Sequence, residues 1–420
     1  MSGVNRRGQI ALLVFCCLIF LPTLSLSAQE ETAAQSPEVP PTWAAALERV
    51  PESDRPSVSE ALQLAGGNAA TLANVLLSVP DEWLPGAVFL IVNSPIEDTT
   101  VVSEDVFVNN LRDAYQTRNT YAWASRVPES DFLQYVLPMR VSQEPLEDWR
   151  GYFLEQLKPR IENMTTLDEV AIEANRWCGE HVRFQQTERR DQGPFETLSS
   201  GYGRCEEMMI VYLDACRAAG VAARQAWTPY WGFMDNNHAW AEVLGEDGNW
   251  HYVGACEPRD QLDDAWFNGS AKRANLIFSV PFGLPESGAP DVYRIQETPG
   301  ERYAIIDSTR FYRPSTNLTV TLFDINQKPL ADTNVYLSVF NFGGLRPIAR
   351  GVTDENGHWS ITVGPGGYFI SAGNETSGAC LPLNITQTGD LDITLTIGLG
   401  VELPPQSLWL RYPVEEEASQ

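Results

Sequence analysis

Gly201–Glu207 reads "GYGRCEE". Two glycines bracket a tyrosine, an arginine follows, and a lone cysteine then opens the helix-periodic run "CEEMMIVYLDACRAAG". Glycine lets the backbone turn sharply without a side chain to crowd its neighbours. A cysteine at the first position of a helix sits among unpaired backbone N–H groups and a partial positive charge, both of which favour its nucleophilic thiolate. Glu206 and Glu207 suit the helix dipole but oppose ionisation of the thiol. The stretch predicts a turn, a helix starting at Cys205 and ending at Gly220, and a cysteine presented at the helix mouth.

A thiol nucleophile needs a base. The chain has four histidines, and His238 heads the alternating run "HAWAEV" just after "DNN". Residues 245–249, "GEDGN", read as a hairpin loop between that strand and "NWHYVGA". Counting back along the partner strand sets His238 opposite Gly254 or a neighbour of it. A carboxylate that holds the imidazole is expected there, and glycine supplies none. The strand end continues "ACEPRD", so Glu257 has the shortest return path and Asp260 the next. Cys178 and His181 in "CGEH" have the spacing of half a zinc site. No second pair matches them, so no metal is expected, and Cys178 reads as a core or disulfide cysteine. Trp227, Tyr230, Trp231 and Trp240 either line the cleft or pack beneath it.

Outward from this centre the texture changes on both sides. The 420 residues suffice for two or three domains with real cores, and the net charge of −26 argues against a nucleic-acid partner. Residues 1–28 read as an export signal: Arg6 and Arg7, then the apolar run "IALLVFCCLIFL", then Pro22 and small residues. A secreted or periplasmic location is expected. Five cysteines follow the signal (Cys178, Cys205, Cys216, Cys256 and Cys380), an odd number that leaves at least one thiol outside any intrachain disulfide. Residues 29–42 read as a linker and 43–157 as a helical region, with apolar residues three and four apart and prolines at the boundaries. Residues 158–298 mix helices and strands. Residues 303–400 hold short alternating strands such as "NLTVTLFD", "NVYLSVFN" and "HWSITV", which predict a β-sandwich, and 401–420 form a tail. The fold class is therefore multidomain α+β. The sandwich is expected to fold on its own and to add binding, not chemistry.

Taken together, "GYGRCEE…RAAGVAARQ…NNHAWAEVLGEDGNWHYVGACEP" resembles the core of the transglutaminase-like superfamily. The resemblance implies a papain-like fold in which Cys205 aligns with the nucleophile and His238 with the base. The family's aspartate falls on Gly254, where this sequence departs from the pattern; Glu257 is the expected substitute. "GACE" also resembles the Asp-Pro-Cys-Glu strand of peptide:N-glycanases. A closer similarity is to exported bacterial proteins with "GACEP…AWF" after the hairpin and a "FLQYVLPMRVSQEPLEDWR" segment upstream. The sandwich resembles carboxypeptidase-regulatory-like domains. The resemblance implies a cysteine-dependent amidase, peptidase or acyltransferase that takes a peptide or protein amide and needs no cofactor. The sandwich would contact a carbohydrate or cell-surface ligand. The rival reading is a non-catalytic binding or adhesion protein on a degenerate cleft, and a peptide:N-glycanase-like amidase ranks below both.

Overall fold

The apolar residues of the first third recur at helical spacing, and they fold as α1 (Pro41–Arg49), α2 (Arg55–Leu64), α3 (Ala69–Ser78), α4 (Leu84–Asn93), the single turn α5 (Ile96–Thr99), α6 (Glu104–Thr120), the short α7 (Glu129–Asp131) and α8 (Arg150–Ile161). The computed structural model describes residues 41–398 apart from 189, 286–290, 299–300 and 374–376. The export signal, most of the linker and the tail read from the sequence lie outside the described residues. Among the described residues, no helix is long and apolar enough to cross a membrane.

Helix α9 (Leu167–His181) starts on a reciprocal cap. Thr166 Oγ1 accepts the Glu169 N–H, and the Glu169 carboxylate accepts the Thr166 N–H, at 3.2 Å each. Such a cap contributes about 1 kcal/mol. Then come β1 (Arg183–Phe184), α10 (Pro194–Ser200), β2 (Tyr202–Gly203), α11 (Cys205–Ala218), β3 (Ala223–Thr228), β4 (His238–Leu244), β5 (Trp250–Val253), the one-turn α12 (Asn268–Ala271), β6 (Phe278–Ser279), β7 (Val292–Thr298) and β8 (Glu301–Asp307). Strands β1 and β2 pair in parallel ahead of α11. The others form one six-stranded antiparallel sheet in the order β5-β4-β3-β6-β8-β7. Helix α11 packs against β3 and β4 and is buried almost all round, from Glu207 to Ala218.

The helical region and this core are not separate bodies. One continuous apolar cluster runs from Ala46 to Cys256. Arg150, in the "PLEDWR" stretch, is 1 % exposed and donates to the carbonyls of Arg217 (2.8 Å), Val136 (2.8 Å) and Leu137 (3.1 Å) and to Asn110 Oδ1 (2.7 Å). A guanidinium has enough donors to satisfy all four and so ties the C-terminal end of α11 to the upstream helices.

After the short α13 (Thr309–Tyr312), β9 (Thr316–Asp324), β10 (Asn334–Asn341), β11 (Gly344–Val352), β12 (His358–Val363), β13 (Gly366–Gly373), β14 (Gly378–Ile385) and β15 (Gly389–Ile397) make two facing sheets, β11-β10-β13-β14 and β12-β9-β15. All pairs are antiparallel except β9 with β15. Their alternating inward residues, Leu318, Val320, Leu322, Val335, Leu337 and Val339 among them, form a second apolar cluster. Two boundaries differ from the sequence reading. Residues 303–307 belong to β8 of the core sheet, and the sandwich strands begin at Thr316. Trp227, Tyr230, Leu276 and Phe278 of the core also pack into the sandwich's cluster.

Candidate active site

Gly201 and Gly203 have different tasks. Gly201 ends α10 with a φ of +74°, the left-handed conformation that glycine adopts at least cost. Gly203 answers a packing need: a Cβ there would lie 3.0 Å from Glu207 Cβ and 3.3 Å from Thr197 Cγ2. Helix α11 is then capped by its own third residue, since the fully buried Glu207 carboxylate accepts the Arg204 N–H at 2.5 Å. Arg204 also pairs with Glu207 (2.8 Å) and Asp191 (3.0 Å).

Cys205 therefore stands at the helix start, half-buried. Its thiol donates to Glu206 Oε2 at 3.2 Å. Helix α11 packs against β4, whose first residue is His238. Cys205, Glu206, His238, Ala239, Glu257 and Trp266 share a cleft of about 670 Å³, joined by Phe184, Gln186, Asn236 and Asn237.

The electrostatics run against a preformed ion pair. Burial, and then the Glu206 charge, push the Cys205 thiol up to about 12 despite the N–H donors around it. Burial alone draws the His238 imidazole down to about 4. The thiolate expected from helix-mouth geometry is thus overridden, because half a helix dipole is weaker than desolvation plus an adjacent carboxylate. At neutral pH the site holds a neutral thiol and a neutral imidazole.

His238 lies among rings: Phe267 at 4.8 Å, Trp266 at 5.1 Å and Trp240 at 5.8 Å between centroids. Its Nε2 is buried and has no hydrogen-bond partner. The β4–β5 register pairs Ala241 with Val253, so its continuation sets Trp240 against Gly254 and His238 against Cys256. The hairpin count was two residues short. Past β5 the chain turns back on itself: Cys256 has a φ of +58°, and the Glu257 N–H bonds to the Gly254 carbonyl at 3.1 Å. This turn folds Glu257 over Gly254, and a Cβ on Gly254 would meet Glu257 Oε2 at 3.0 Å. The Glu257 carboxylate accepts the Trp266 indole N–H at 2.6 Å and does not hydrogen-bond to His238. It reaches the vacant side-chain position at 254 and touches the base through Trp266. Asp260 is fully exposed and pairs with Arg176 at 3.0 Å.

Trp231 and Trp240 are fully buried with nearly parallel rings, and Trp227 and Tyr230 pack toward the sandwich. None of the four lines the cleft. The exposed aromatics there are Phe184 and Trp266, and Trp266 belongs to the "AWF" stretch of the sequence. Cys178 is buried, the His181 ring bonds to the Trp177 carbonyl, and the described residues hold no cluster suited to a metal. All five described cysteines are free thiols.

Residues 155–255 match the family model described as "Transglutaminase-like superfamily", so this stretch is a transglutaminase-like domain. That superfamily includes cysteine peptidases and acyltransferases. No curated protein matches the sequence. Solved structures that align with it include a cysteine-protease candidate from Cytophaga hutchinsonii (15 % identity, 46 % of this chain and 68 % of that one, TM-score 0.25). Red sea bream transglutaminase aligns at 9 % identity, over 63 % of this chain and 64 % of that one, with a TM-score of 0.27. Catechol 1,2-dioxygenase from Acinetobacter sp. ADP1 aligns at 11 %, over 22 % and 57 %, with 0.17. The chain spans less than two thirds of the length of the last two proteins. At such TM-scores these superpositions carry no weight beside the family match.

Proposed function

We propose that the chain is a cysteine-dependent enzyme that acts on amide bonds of peptides or proteins, with Cys205 as nucleophile and His238 as base. The observation that carries this reading is that Cys205 at the start of α11 and His238 at the start of β4 line one open cleft. Since both groups rest neutral, the proton leaves the thiol during attack on the carbonyl and not before it. His238 receives that proton and returns it to the departing amine, leaving an acyl thioester on Cys205. The Cys205 N–H at the start of α11, with a neighbouring donor, would hold the oxyanion. Water or an amine then takes the acyl group, with His238 again as base. The export signal read at residues 1–28 would place the enzyme outside the cell, where water is the default acceptor. The sandwich would bind a carbohydrate or cell-surface ligand.

Two observations favour a second reading, a binding protein on a degenerate cleft. The His238 Nε2 has no partner where the family's aspartate would supply one, and the thiol is held protonated. The two readings separate in a screen of amides, peptides and glycopeptides with wild type and Cys205→Ala. An enzyme turns over at least one member and loses that turnover in the variant; a binder turns over none and binds equally well in both.

A further inference from the structure

Residues 229–237 join β3 to β4 and deliver Asn236, Asn237 and His238 to the cleft. The last pair of the β3–β4 ladder is Thr228 with His238, so the sheet fixes the base only at its edge. The loop must be held by something else. Trp231 anchors its start by packing against Trp240 at 6.4 Å. Within the loop, the Trp231 N–H bonds to the Asn236 carbonyl (3.0 Å) and the Asn236 N–H to the Met234 carbonyl (2.9 Å).

The remaining support comes from the sandwich. Asn341, the last residue of β10, is 0 % exposed. Its side-chain NH₂ donates to the carbonyls of Trp231 at 2.8 Å and Met234 at 2.7 Å, with Asn236 O at 3.4 Å. The next residue, Phe342, turns with a φ of +45° and donates its backbone N–H to Asp235 Oδ1 at 2.6 Å. Its ring meets Tyr230 edge-on at 6.5 Å. A buried carbonyl left without a donor is costly, so a loop with such carbonyls adopts the geometry its donor dictates.

We propose that Asn341 is a positioning residue for His238: the β10–β11 turn of the sandwich clamps the 229–237 loop, and the base works only with the sandwich seated. The inference rests on the reading of His238 as base. It revises the expectation that the sandwich adds binding and no chemistry.

The test uses the full chain and needs no substrate. Cys205 alkylation by iodoacetamide is followed by peptide mapping between about pH 6 and 9, in wild type, Asn341→Ala, His238→Ala and the double variant. Tyr293→Phe serves as control, because the Tyr293 hydroxyl donates to the Arg350 carbonyl at 2.6 Å and so joins the sandwich to β7, the edge strand of the core sheet farthest from β4. The expected result is a fall of about tenfold near pH 7 for Asn341→Ala, the size set by losing a buried donor. The double variant should match His238→Ala, because both act through one group, and Tyr293→Phe should match wild type. Should Asn341→Ala not fold, Asp235→Ala removes an exposed partner of the same clamp and should shift the profile in the same direction. Wild-type rates in Asn341→Ala beside slow His238→Ala overturn the clamp, as do effects that multiply in the double variant. Wild-type rates in His238→Ala overturn the base itself, and with it the inference.

Discussion

Replacing Glu206 with glutamine removes a negative charge from beside the thiol while leaving the α11 cap intact, since Glu207 makes the cap. The Cys205 sulfur lies 3.2 Å from Glu206 Oε2. Coulomb's law at that separation gives about 1.3 kcal/mol in a water-like dielectric and about four times that at an effective dielectric of 20. The thiol pKa should therefore fall by about one unit at the least, from its raised position near about 12. Each unit gives about ten times more thiolate, but a less basic thiolate is about threefold less nucleophilic. The net gain is about threefold per unit, and about tenfold for a two-unit shift. The assay is the second-order rate of iodoacetamide alkylation at Cys205, mapped by peptide mass spectrometry across neutral to alkaline pH. A rate equal to wild type, or slower, would refute the claim that Glu206 holds the proton on the sulfur.

Other perturbations act on contacts of the same kind. His251 bridges Asp263 (2.6 Å) and Asp247 (3.0 Å); burial draws its proton off, but the two carboxylates outweigh it and raise its pKa. Its folded pKa exceeds the unfolded one, so its stabilisation is full below about pH 6.5 and fades as pH rises through the folded value. His251→Gln should thus cost more in urea melts near about pH 5.5 than near about pH 9, and equal costs would contradict this. Arg150→Ala leaves several buried carbonyls without donors and should lose about 3 kcal/mol or more, read by denaturant melts. Gly203→Ala forces a methyl against Glu207 and Thr197 and should cost about 1–3 kcal/mol, with the shift felt at Cys205 as altered alkylation. Glu257→Gln should change Trp266 fluorescence and lower turnover on any substrate found, while Cys205 alkylation stays close to wild type.

The local grammar of the centre was legible because each signal was short-range. Glycines before Cys205, a histidine at a strand start and "GEDGN" as a hairpin loop each specify their own backbone, and α11, β4 and β5 form where they predict. The 245–249 loop fixes the register too, pairing Leu244 with Trp250, so the count to Gly254 was a slip of two. What the sequence does not carry is that the ladder ends at Val253 and that the left-handed Cys256 turns the chain back. The direction of the thiol's shift depends on burial, which no window of sequence carries. The same holds for Asn341, whose partners lie about a hundred residues away in sequence, and for the Arg150 bond to the Arg217 carbonyl, about seventy residues away. The shared core of the helical region with α11 was hidden for that reason, and so was β8's membership of the central sheet.

The central claim is an acyl group carried on Cys205. It is tested most directly by intact-protein and peptide mass spectrometry of the chain, quenched with acid during turnover of amides from the screen. The account predicts a mass increment equal to the substrate's acyl group on the peptide containing Cys205, absent in Cys205→Ala and diminished in His238→Ala. Turnover that persists in Cys205→Ala, or an acyl adduct on any other residue, would contradict it.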